Sequence, residues 1–171
     1  VASAIAVVSA AAPASAAPGD TTTTFAVTGG ALSISVPATV SLGSGAAGST
    51  ISGQLGAVTV SDLRGAVLAA WTASVSSTDF TTGTATTAET VLKASIAYWS
   101  GPATTTTGAG VATPGQATST SSQTMASSRT AFSKSAGSGN NTASWDPGIV
   151  VTVGSGNLTG TYTGTITHSV A

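Results

Sequence analysis

Leu32, Ile34 and Val36 alternate with Ser33 and Ser35, the two-residue period of a strand with one face buried and one face wet. The same period recurs along much of the chain. Val58 and Val60 form a short run ending at Asp62. Val67, Ala69, Trp71, Ala73 and Val75 share one face of a long strand, with Thr72, Ser74 and Ser76 on the other. Leu92, Ala94, Ile96 and Tyr98 alternate with Lys93, Ser95, Ala97 and Trp99 in the next. Further strand signals lie at residues 22–27, at Val40 and Leu42 beyond the break at Pro37, at 129–135, and at 149–153 after Asp146-Pro147-Gly148. At the end of the chain Tyr162, Gly164, Ile166, His168 and Val170 share a face. Opposite them runs an unbroken row of Thr159, Thr161, Thr163, Thr165, Thr167 and Ser169.

Short strands, Gly- and Ser-rich turns and no helical period predict an all-β fold, an antiparallel, Ig-like β-sandwich of two sheets. Residues 101–126 break the pattern. They carry no apolar period and two low-complexity stretches, Thr104 to Thr107 and Ser119 to Ser122, which predicts a long flexible loop. The final strand is expected to run through the middle of a sheet or to close its core, with its hydroxyl row facing solvent, because a one-residue slip would bury the whole row. Neighbouring strands show no clear repeat of that row, which argues against an ice-binding surface. No repeat of fixed period suggests a solenoid.

Composition sharpens this picture. The 171 residues suit one domain with a sizeable core. Only 5% are charged, against about a quarter in ordinary soluble domains. Ser and Thr, about a third of the chain, must keep the surface wet in place of ions. A net charge of −1 gives no electrostatic reason to bind nucleic acid or anionic lipid. Contact with any other polyanion would likewise have to be neutral in kind. The absence of Cys excludes disulfides, thiolate metal sites and a Cys nucleophile.

Candidate chemistry is sparse. His168 is the only histidine, so any histidine-dependent site must use it, and its apolar neighbours place it at the inner edge of its strand. No Gly-x-Ser-x-Gly elbow supplies a nucleophile. Asp20, Asp62, Asp79, Glu89 and Asp146 are scattered, without the spacing of a carboxylate couple. Gly43-Ser44-Gly45-Ala46-Ala47-Gly48 satisfies G-x-G-x-x-G, but Ser49-Thr50-Ile51-Ser52-Gly53 cannot supply the helix that a dinucleotide needs. It reads as a loop. Asn140-Asn141-Thr142 and Asn157-Leu158-Thr159 fit the spacing of glycosylation sequons, a weak signal on its own. No enzyme, cofactor or metal site is expected. Asp62 and Arg64, rare charges two residues apart, read as a turn in which Asp62 bonds backbone N–H groups and Arg64 pairs with a carboxylate.

Residues 1–16 read as the remnant of an export signal. An apolar Ala- and Val-rich run, too short to span a bilayer, is broken by Pro13 and followed by Ala14-Ser15-Ala16, small residues suited to a signal peptidase. Cleavage there leaves residues 17–171 as the mature domain, with no membrane span.

Two segments carry a family resemblance. The first is Val60-Ser61-Asp62-Leu63-Arg64-Gly65 with Ala70-Trp71-Thr72-Ala73-Ser74-Val75, and the second is Tyr162-Thr163-Gly164-Thr165-Ile166-Thr167-His168-Ser169-Val170. Over about residues 22–171 the chain resembles the WxL domain, a surface module of Gram-positive bacteria. There an Asp-x-Arg-Gly turn leads into Gly-Trp-Thr-Leu, and a last strand reads Tyr-x-x-x-Leu-Thr-Trp-Thr-Leu. Ala70 and Ala73 stand at the Gly and Leu places, and His168 replaces the second Trp. The resemblance implies a secreted, non-enzymatic protein bound non-covalently to wall peptidoglycan or polysaccharide and to companion surface proteins. The motif positions that would carry it are Asp62, Arg64, Gly65, Trp71, Thr72, Tyr162, Thr167 and His168. The alternative is a structural subunit of an extracellular assembly that self-associates through strand edges.

Overall fold

The computed structural model describes Gly19 and residues 21–171; the export-signal reading, on residues 1–16, lies outside the described residues. The strands of the first half are β1 (Leu32–Ser35), β2 (Thr50–Gln54), β3 (Val58–Asp62), β4 (Val67–Ser77), β5 (Phe80–Thr81), β6 (Thr90–Val91) and β7 (Ile96–Trp99). Those of the second half are β8 (Ala103–Thr107), β9 (Val111–Pro114), β10 (Gln123–Thr124), β11 (Arg129–Ser138), β12 (Asn141–Trp145), β13 (Gly148–Thr152) and β14 (Ile166–Val170). Helical geometry among the described residues is confined to 3-10 turns at Thr87–Glu89, Lys93–Ser95 and Ser119–Ser121. All ladders are antiparallel, as the alternation predicts.

The front layer is the sheet β14-β4-β11-β9. The back layer is built from two sheets, β1-β3-β12-β8 and β10-β7-β13-β2. Three chain segments pass directly from one to the other, β2 into β3, β7 into β8, and β12 into β13. The back layer is therefore one sheet folded along a line, and the sequence marks that line three times. Gly56 and Gly101 adopt φ of 82° and 70°, which costs a side chain with a Cβ, and Pro147-Gly148 turns the third strand. A backbone hydrogen bond from Leu55 to the Pro147 carbonyl, 2.7 Å, ties two of the corners.

Between the layers lies a core of Val58, Val60, Trp71, Val75, Ile96, Tyr98, Met125, Phe132, Trp145 and Ile149, all nearly inaccessible to water. Phe132 of the front layer stacks on Trp145 of the back layer with ring centroids 4.8 Å apart. A bulge in β11 sets what enters this core. The register jumps between Thr130 and Phe132, so Ala131 and Phe132 are both buried and Lys134, not Ser133, follows them inward.

Several expectations need correction. Residues 101–126 are not a flexible loop: they form β8, β9 and β10, cover β12 and β11, and bury Met125 and Gln116. An edge strand wet on its outer side needs little apolar periodicity, so its Thr-rich sequence hides it. Residues 22–27 form no strand, and Phe25 and Val27 are 88% and 87% exposed. Val40 and Leu42 lie in a loop, whereas the adjoining Gly43–Gly48 segment is a loop as expected. Residues 92–95 turn in 3-10 geometry, leaving only Ile96 and Tyr98 of that alternation buried. Val67, at the start of β4, is exposed. Finally, β14 is the edge of its sheet and not a middle strand, with only β4 beside it; its alternation faces as expected, and Ile166 and Val170 pack on the core.

Candidate functional site

Strand β3 carries Val58, Val60 and Asp62 inward on one face, so the alternation that buries two valines also carries a carboxylate into the core. Asp62 Oδ1 accepts from the Arg64 backbone N–H at 3.1 Å and from Arg64 Nε at 2.8 Å, and Oδ2 accepts from Arg64 Nη2 at 2.9 Å. This is the turn expected from the sequence, closed by Gly65 at φ 65°. The forked pairing with Arg64 holds the Asp62 carboxyl down at a pKa of about 2 against the opposing effect of burial. Arg64 also donates to the Ala70 carbonyl at 2.9 Å, fastening the turn to the strand that bears Trp71.

Two residues the sequence reading passed over complete this node. Asn141, buried on β12, donates from Nδ2 to Asp62 Oδ2 at 3.4 Å and accepts at Oδ1 from Trp71 Nε1 at 3.1 Å. Lys134, only 2% exposed on β11, donates from Nζ to the carbonyls of Thr107 at 2.7 Å and Thr142 at 3.4 Å. Burial lowers its pKa, and the negative charge of Asp62 works against that shift. A signal for Lys134 did exist. It stands two residues from Phe132, so the face that buries the aromatic ring also takes the lysine.

At the other end of the core, β14 turns His168 toward Tyr98, Nε2 to the hydroxyl at 3.1 Å, with the Trp145 ring edge-on at 6.5 Å. Burial lowers the His168 pKa to about 4 and raises that of Tyr98. His168 stands at the floor of a groove of about 820 Å³, walled by apolar side chains such as Ile51, Phe80, Val151 and Ile166 and rimmed by Thr159, Thr161 and Thr163. Tyr162, half-buried beside it, donates to the Leu158 carbonyl at 2.8 Å.

The outer faces are built differently. On the back layer the register aligns Ser33, Ser61, Thr142 and Thr107 in one row across β1-β3-β12-β8, and Ser35, Thr59, Ser144 and Thr105 in the next. Strand spacing places neighbours in a row about 4.8 Å apart and the rows about 6.7 Å apart. Thr59 and Ser144 bond through their hydroxyls at 2.8 Å, as do Thr107 and Thr142 at 2.7 Å. The front layer carries a looser counterpart, with Ser169-Ser74-Thr130, Thr167-Ser76 and Thr72-Ser133-Thr113 in register. Neighbouring strands therefore do repeat the hydroxyl row, contrary to expectation, because register rather than local sequence creates the array. No charged side chain stands among these positions.

Apart from Arg64 and Gly65, which form the turn after Asp62, the motif residues fall into two groups. Asp62, Trp71, Tyr162 and His168 point inward with partners inside the fold, while Thr72 and Thr167 lie on the hydroxylated front face. Among the described residues, no group of three His, Cys, Asp or Glu side chains converges as a metal site. No family model, curated protein or solved structure matches this chain.

Proposed function

We propose that this is a secreted, non-enzymatic bacterial surface module that holds a neutral, hydroxyl-rich wall polymer, the glycan of peptidoglycan or an associated polysaccharide, on the outer face of the back layer. One observation carries the reading: eight Ser and Thr side chains on four strands stand in two aligned rows without an intervening charge. A glycan offers hydroxyl donors and acceptors at regular intervals and no charge to neutralise. A fixed hydroxyl array can meet it with many weak bonds and little loss of side-chain entropy. The resemblance to the WxL surface domain supports the same destination, as a wall-attached protein beside companion surface proteins. Residues 19–171 should sediment with purified peptidoglycan, and Ser35→Lys with Thr105→Lys should leave folding intact and release the protein. A protein that stays in the supernatant, or a double variant that sediments unchanged, overturns the proposal.

A second reading is favoured by a different feature. Phe25 and Val27 project from an extended arm that precedes β1, while the apolar groove beside His168 lies open. In this reading the chain is a subunit whose arm enters the groove of the next copy. Concentration-dependent oligomers without any wall polymer, abolished by Phe25→Ser with Val27→Ser, are its signature.

A further inference from the structure

We infer that Lys134 and Asn141 are the two halves of an intramolecular amide cross-link, formed by attack of Lys134 Nζ on the Asn141 side-chain carbonyl carbon within the core. The inference is independent of what the outer faces bind. A primary amine and a carboxamide from facing layers are both sealed from water, at 2% and 1% exposure, next to a carboxylate with none. The amine sits against the backbone of the neighbouring residue, 3.4 Å from the Thr142 carbonyl oxygen. Among the described residues it pairs with no carboxylate, because Asp62 is already forked onto Arg64. An ammonium held only by carbonyls in a dry core is a costly arrangement, and burial shifts it toward the neutral, nucleophilic amine.

Each remaining group has a place in the reaction. Trp71 Nε1–H already donates to Asn141 Oδ1 at 3.1 Å, where negative charge collects as the amine adds. Asp62 Oδ2 already touches Asn141 Nδ2, the nitrogen that must leave. The lone pair of neutral Nζ forms the new C–N bond, and the carbonyl pair moves onto Oδ1. Asp62 takes a proton from the attacking nitrogen and hands it to the departing one. The tetrahedral centre then collapses, the Cγ–Nδ2 bond breaks, and ammonia leaves. Amine plus carboxamide gives secondary amide plus ammonia, with no oxidant, metal or activating group required. Water exclusion suppresses hydrolysis of the intermediate, and the fold supplies the proximity that an intermolecular reaction lacks. The product joins β11 of the front layer to β12 of the back layer.

Intact-mass spectrometry of the purified, folded protein should give a mass one ammonia below that of the sequence. Digestion should release a branched peptide joining residues 134 and 141. Lys134→Met and Asn141→Ala should each restore the full sequence mass, and Trp71→Phe should leave a mixture that converts on standing. A full sequence mass in natively folded protein overturns the inference. So does loss of ammonia without the branched peptide, the mark of a cyclised asparagine, and so does loss of water with a branch to Asp62.

Discussion

Lys134 stands directly opposite Trp71 in the β4–β11 register, and both side chains turn into the core, where the indole N–H is bonded to β12 and the lysine Nζ to its neighbour β8. The pair shows how little charge this fold uses and where it uses it. Asp62, Arg64 and Lys134 are gathered at one end of the sandwich, while the outer faces rely on hydroxyls. Polar groups inside a dry core specify position more strictly than apolar ones, because a misplaced partner is left unbonded.

Trp71 supplies both packing and a hydrogen bond, and two substitutions separate them. Trp71→Phe keeps most of the ring but leaves Asn141 Oδ1 without its donor, at a cost of about 1–3 kcal/mol. Trp71→Ala also opens a cavity and should cost about 3–5 kcal/mol. Urea unfolding followed by circular dichroism measures both; equal losses would mean that the indole contributes only its N–H.

His168 makes stability depend on pH in a defined window. Its folded pKa, lowered by burial to about 4, lies below the ordinary value of 6.5, so the folded protein resists protonation that the unfolded chain accepts. Its contribution is complete above pH 6.5 and is lost as pH falls toward 4, by on the order of 3 kcal/mol in all. Asp62 acts in the same direction but lower, as pH falls from 3.8 toward 2. Thermal unfolding between pH 7 and 4 should show the decline, and His168→Gln, which cannot titrate, should flatten it. A wild-type curve that is flat across this window would place His168 in solvent.

The half-buried strands were legible because one face is apolar and the other hydroxylated. Val58 and Val60, Trp71 to Val75, Ile96 and Tyr98, and Ile166 to Val170 all declare themselves by period two. What the sequence concealed was of two kinds. β8 is a Thr-rich edge strand that reads as low complexity, and β9 is an edge strand of four residues, too short to show an alternation. The hydroxyl array and the buried node arise between strands distant in the chain: Ser61 meets Thr142, and Asp62 meets Asn141, only once the register is set. Asp62 and Arg64 were legible as a turn because they are neighbours. Asn141 was not, because its partners lie across two sheets.

Residues 101–126 should be required for folding. Replacing them with a Gly-Ser linker removes β8 and β9, unpairs β12 and β11 along one side, and exposes the node around Lys134. Cooperative thermal unfolding should disappear. A milder probe is Met125→Ala, which should cost about 2–5 kcal/mol because the side chain is 1% exposed within the main cluster. A linker variant that melts near the wild-type temperature would show that these strands only decorate a core that stands without them.

The last strand, although an edge, should be indispensable. Removing residues 161–171 takes away Ile166 and Val170, which pack on the core, and the His168 partner of the Tyr98 hydroxyl. It also frees one side of β4 from Thr72 to Ser77, in the strand that bears Trp71, Ala73 and Val75. The unpaired backbone of β4 would then lie beside newly exposed apolar surface, the combination that recruits other chains. The truncated protein is therefore expected to aggregate or to show no cooperative transition, in contrast to a chain shortened only at its exposed N-terminal arm. Circular dichroism melting and light scattering on the two truncations side by side make the comparison. A soluble, cooperatively folded protein without residues 161–171 would mean that β4 can close the front layer alone, and that the Tyr162-to-Val170 segment is an attachment to the sandwich instead of a part of it.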